Sequence, residues 1–113
     1  MHHRSPRVTS LANGTAVEMG PGIVRTTMAY NDQLMVCHFA LEKGAVIALH
    51  NHVASQSGFV IEGRLRLFLA DDSSFVAARG DGYVFDPEEY HGAEALEDTE
   101  LIDCFSPLRP EYL

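Results

Sequence analysis

The chain has 113 residues, 46% of them hydrophobic and 21% charged, which fits one globular domain and leaves no room for a second. Sixteen acids against eight bases give a formal charge of -8, with Lys43 the one lysine. That balance excludes the basic stripe needed to hold nucleic acid and the polybasic segment needed to hold anionic lipid.

Residues 1–10 carry charges, two histidines and a proline with no apolar core, and read as a flexible tail in which His2 and His3 have no role. No apolar run approaches the roughly 20 residues that span a bilayer. The expectation is a soluble, cytoplasmic protein whose residues 11–113 form a single domain. From there onward, short apolar or alternating runs follow one another every 8 to 12 positions, at 15–19, 23–30, 34–42, 45–51, 57–62, 64–70, 74–79, 82–86, 91–96 and 99–105. Turn residues separate them at Gly20-Pro21-Gly22, Asn31-Asp32, Lys43-Gly44, Gly63, Asp71-Asp72, Gly80-Asp81-Gly82 and Asp86-Pro87. Many short strands at even spacing predict an all-β sandwich or barrel. In 64–70 the arginines Arg64 and Arg66 alternate with Leu65, Leu67 and Leu69, so one face is dry. Gly63 supplies a positive φ for a tight turn, and 57–62 and 64–70 are expected to pair as a hairpin.

Cys37 and Cys104 both lie in apolar strand-like runs and read as buried free thiols. In 34–42, Cys37, Phe39 and Leu41 share one face, which puts His38 on the other as an outer-face residue. Tyr30 and Tyr83 read as packing, and the acidic run Asp86 to Glu89 as a solvated loop.

Chemistry concentrates in two places. His50 and His52 are two apart at a strand end, so both face the same side. Gln56 follows at the start of the next strand and can return to the same place. His91 lies far along the chain, after Gly80-Asp81-Gly82. Three imidazoles and an amide oxygen suit a first-row divalent ion: nickel, zinc, manganese, iron or cobalt. A polar strand end with no metal is the alternative for the histidine pair, as is a loop-end amide for Gln56.

Gly44, His50, His52 and Gly63, followed by Gly80-Asp81 and His91, reproduce the two motifs of the cupin superfamily, which this chain resembles over about residues 34–107. The departures are Gln56 where glutamate is common, and Asp86 and Glu88 in the second motif. The resemblance implies a double-stranded β-helix, the jelly-roll barrel, with a metal near its centre held by His50, His52, Gln56 and His91. Glutamine leaves the ion's full charge uncompensated, which strengthens it as a Lewis acid.

The ending Asp103-Cys-Phe105-Ser-Pro107-Leu-Arg109 is similar to that of the small pectin-degradation cupins of the KdgF type, which linearise 4,5-unsaturated uronate monomers. That likeness implies Asp103 as acid/base residue, Phe105 as pocket lining and Arg109 as the group that holds the substrate carboxylate. Ala54 and Ser55 stand where that group often has a histidine and an acid. A surface acid is the alternative for Asp103, and a surface ion pair for Arg109. Two other functions share the motifs: an Fe(II) cupin dioxygenase, and a binding cupin without turnover. The expected partner is a small anionic substrate, and the exposed edges of a small barrel lead to the expectation of a homodimer covered by the strands in 15–30.

Overall fold

The computed structural model describes residues 2–113. Ten strands run in chain order: β1 (Ala16–Gly20), β2 (Ile23–Tyr30), β3 (Met35–Leu41), β4 (Val46–His50), β5 (Ser55–Glu62), β6 (Arg64–Leu69), β7 (Ser74–Ala78), β8 (Gly82–Phe85), β9 (His91–Ala95) and β10 (Thr99–Ser106). They form two antiparallel sheets, one in the order β1-β2-β3-β10-β5-β8 and the other β4-β9-β6-β7. This is the all-β double-stranded helix expected from the strand spacing and the cupin motifs. No helix among the described residues is long and apolar enough to cross a membrane.

Alternation sets the core. On β3, Met35, Cys37, Phe39 and Leu41 are buried while Val36, His38 and Ala40 face outward. On β10, Thr99, Leu101, Asp103 and Phe105 take the inward positions. Leu65 and Leu67 of β6, with Ala93 and Ala95 of β9, close the core from the second sheet. His38 lies on the outer face as expected, its Nε2 2.7 Å from Glu100 Oε1.

Three expectations change. Gly63 does adopt φ 93°, but β5 and β6 do not form a hairpin. β5 pairs with β8 and β10, and β6 with β7 and β9, so Gly63 carries the chain from one sheet to the other. A Cβ on Gly63 would stand 2.3 Å from the Asp98 carbonyl oxygen, so any side chain at this close crossing is disfavoured. Both cysteines are free, but Cys104 is exposed, because it falls on the outward register between Asp103 and Phe105. Part of the stretch read as a tail, residues 1–10, is docked. Arg4 bridges Asn31, the Ser5 amide donates to the Tyr30 carbonyl at 3.0 Å, and the His3 amide donates to Asp32 at 2.8 Å.

Candidate metal centre

The site lies at one end of the barrel, where the two sheets meet. His50 ends β4 and stands directly opposite His91, the first residue of β9, in the four-stranded sheet. His52 lies in the connection that crosses to the other sheet, and Gln56 is the first inward residue of β5. Sequence separations of up to 41 positions thus converge on one point. The ligand atoms of His50, His52 and His91 lie within 4.8 Å of one another. Gln56 Oε1 is 3.0 Å from His52 Nε2 and 3.1 Å from His91 Nε2.

Backbone carbonyls fix the chemistry of all three rings. Nδ1 of His50 faces the Ala48 carbonyl at 2.9 Å, that of His52 the Ala54 carbonyl at 2.8 Å, and that of His91 the Glu89 carbonyl at 2.8 Å. A carbonyl oxygen only accepts, so each Nδ1 carries the proton and each Nε2 keeps its lone pair. Gln56 presents its oxygen to the histidines and lies beside the Asp103 carboxyl, whose pKa it lowers. Lone pairs of two nitrogens and an oxygen therefore face one another at hydrogen-bonding distance with no proton between them. A cation reconciles that arrangement. Acceptor atoms 3.0 and 3.1 Å apart are close enough to share one cation. The donor set fits a first-row divalent ion, and the carbonyls are the outer partners that such ligands need.

Burial favours the neutral form of two of the rings, His52 and His91. It pushes His91 down to about 4 and lowers His52, where the charge of Arg109 adds to the effect. The Phe85 ring stacks on His91, and Phe105 meets His52 edge-on at 5.7 Å.

Asp103 is buried on the inward register of β10 beside this cluster. Its carboxyl is pushed up to about 6 by burial, against hydrogen bonds from Tyr83 and Gln56 and the charge of Arg109. His50, Gln56, Tyr83, Phe85, His91 and Asp103 enclose a small inner cavity of about 30 Å³. That is room for about one water. A wider cavity of about 290 Å³ opens beside it, lined by His52, Ala54, Pro107, Leu108 and Arg109 among others. Arg109 is tethered there, its Nε donating to Glu111 at 3.2 Å and its Nη1 to the Tyr112 hydroxyl at 2.8 Å. A larger cavity, about 560 Å³, lies toward the start of β10, far along the strand from Phe105, and is lined by Glu18, Glu42, Glu62, Asp98 and Glu100 among others. Its carboxylates repel an anion, so volume alone misleads.

Sequence reasoning missed two contributors. Tyr83, read as packing, donates its hydroxyl to Asp103 Oδ1 at 2.6 Å. The loop from Asp86 to Glu89, read as solvated, clamps the ligands: the Glu88 amide donates to the His52 carbonyl at 2.8 Å, and the Glu89 carbonyl accepts from His91. The inward alternation of Tyr83 and Phe85 was the available signal for Tyr83. Nothing in the sequence signals a main-chain clamp.

A cupin domain model matches residues 37–103, more than half of the chain. The chain is a cupin. Among cupins it is 37% identical, over 85% of its own length and 88% of the other's, to the pectin degradation protein KdgF of Dickeya dadantii. Among cupins of known structure it is similar to KdgF from a Halomonas species, with 31% identity, a TM-score of 0.88, and coverage of 96% of this chain and 100% of that one. An RmlC-like cupin from Shewanella frigidimarina gives a TM-score of 0.91 at 29% identity, covering 97% and 98% of the two chains. Bacillus subtilis oxalate decarboxylase shares the fold of this cupin at 20% identity and a TM-score of 0.78, over 30% of the decarboxylase.

Proposed function

We propose that this cupin is a metal-dependent enzyme that linearises or isomerises 4,5-unsaturated uronate monomers. The observation that carries the reading is a buried carboxyl, Asp103, set beside four convergent metal-donor atoms with an arginine at the cavity above them. Similarity to KdgF, a pectin degradation protein, over most of both chains supports the substrate class.

His50, His52, Gln56 and His91 would hold the ion, which when bound supplies Lewis acidity toward a substrate oxygen. Asp103 performs the proton transfers of ring opening and keto–enol change. A carboxyl raised to about 6 is near the working pH, where it both takes and returns a proton effectively. Arg109 binds the uronate carboxylate with its planar fork, exchanging its contact with Glu111 for the substrate. Phe105 packs against His52 and keeps that ligand in a dry environment. A buried acid with a raised pKa serves proton transfer and has no evident part in the dioxygenase alternative. The molecule acts as a homodimer, covering the exposed edge strand β1 and its residues Val17 and Met19. A single monomeric species in light scattering would reject that.

The test is turnover of the unsaturated monouronates released by pectate and alginate lyases, read as loss of the conjugated ultraviolet absorbance. Acceleration by protein loaded with nickel, zinc, manganese, iron or cobalt is expected. None with any of the five rejects the reading.

A further inference from the structure

Gly58 stands in the middle of a row that crosses three strands, paired on one side with Asp103 of β10 and on the other with Tyr83 of β8. Adjacent strands are about 4.8 Å apart, so β8 and β10 are about twice that from each other. The Tyr83 side chain spans the gap. Its hydroxyl donates to Asp103 Oδ1 at 2.6 Å, in the short range of a bond to an ionised acceptor. The contact runs through the space where residue 58 lacks a side chain. A Cβ there would stand 2.1 Å from Tyr83 Cζ, 2.3 Å from its hydroxyl oxygen and 2.4 Å from Asp103 Oδ1. Gly58 has no positive φ and lies within a regular strand, so backbone conformation does not call for glycine at this position. The hydrogen bond does.

Both partners of this bond are buried and line the inner cavity with His50, Gln56 and His91. A carboxylate has two oxygens, and a buried one can rotate between them unless one is held. Tyr83 holds Oδ1. Burial raises the phenol well above its ordinary range, so it stays protonated and keeps donating.

We propose that Tyr83 is a positioning residue: it fixes Asp103 through Oδ1, so that proton exchange with the substrate occurs at the other carboxylate oxygen, and Gly58 is the vacancy that lets it reach. This rests on Asp103 being the proton-transfer group of the proposed reaction. Tyr83 neither gives up its own proton nor touches the substrate, and its effect passes through the orientation of one carboxylate.

The experiment compares metal-loaded wild type, Tyr83→Phe and Gly58→Ala. It follows turnover of an unsaturated galacturonate monomer, metal content, thermal midpoint and the proton NMR signal of the hydrogen-bonded hydroxyl. Tyr83→Phe is expected to keep its metal content and to hold KM within about twofold while kcat falls at least about tenfold, because misorienting a reacting group costs rate more than binding. The downfield hydroxyl signal present in wild type should vanish. Gly58→Ala keeps the hydroxyl and breaks the geometry, so it should lose kcat to a similar extent; if it fails to fold, Tyr83→Phe decides alone. Wild-type kcat in Tyr83→Phe, or a lowered thermal midpoint with kcat unchanged, overturns the proposal while leaving the uronate reading intact. Absence of turnover by wild type rejects the uronate reading instead, and absence of the hydroxyl signal in wild type overturns the hydrogen bond itself.

Discussion

The rings of Phe85 and His91 lie face to face, with centroids 4.2 Å apart and planes 10° from parallel. His91 is thereby held on three sides: by Phe85 on its face, by the Glu89 carbonyl at Nδ1, and by the β9 backbone from which it projects. Such support fixes the orientation of the imidazole within the fold itself.

Phe85→Leu removes that face while leaving an apolar side chain in the core. The expected result is metal binding weaker by about tenfold, with a smaller stability loss than the ~3–5 kcal/mol of a full truncation of a buried aromatic. Calorimetric titration of the metal-free protein checks the first, and denaturant melts check the second. Unchanged affinity would show that the carbonyl alone orients the ring.

The metal-free protein carries two opposed proton linkages. Asp103 rises from 3.8 to about 6 on folding, so its contribution is full below pH 4 and is lost as pH rises through 6. His91 falls from 6.5 to about 4, so its contribution is full above pH 6.5 and is lost as pH falls through 4. Between pH 4 and 6 the two slopes oppose each other. Asp103→Asn removes one of them, and its stability should fall more steeply on acidification across that window than that of wild type. Urea midpoints at several pH values in the presence of chelator decide it; parallel curves would contradict the assignment.

Gln56→Glu exchanges the amide beside Asp103, which lowers its pKa, for a second carboxylate. Like charges at short range raise each other's pKa. Metal content should hold, since a carboxylate is also a ligand, while the acidic limb of the pH–rate profile moves upward and activity at neutral pH drops. Metal analysis and a pH–kcat profile read the two effects separately.

Arg109→Lys keeps the charge but loses the planar two-point fork. The expected outcome is a KM raised about tenfold or more with a smaller change in kcat, because the interaction binds ground state and transition state alike. Steady-state kinetics on the unsaturated monomer measure it. An effect on kcat alone would place Arg109 in the chemical step.

Gly63→Ala should destabilise the protein by about 1–3 kcal/mol, since φ 93° is unfavourable for alanine and its Cβ would meet the Asp98 carbonyl. Denaturant unfolding gives the number directly.

Strand positions were legible because period-two alternation is a local property. The starts and ends of β2, β3, β6 and β8 fall within one residue of those read from the sequence. Which sheet a strand joins is not local, and that is where the Gly63 hairpin failed: turn chemistry reports a reversal, not the partner on the far side. The same limit governs the site. His50, His52, Gln56 and His91 could be grouped from their motif spacing, and the structure brings them together. Tyr83 could not be linked to Asp103, because the two meet across an intervening strand through a gap left by Gly58. The exposed Cys104 shows the converse, an apolar neighbourhood in sequence whose alternate positions face solvent.

The carbonyls that receive the three Nδ1 protons belong to Ala48, Ala54 and Glu89, and none of their side chains takes part. The histidines' tautomers are thus written in the path of the main chain, and no single exchange of a supporting side chain can erase them. An ion held by His50, His52 and His91 would thus have its seat set by the backbone path and not by the side chains around it.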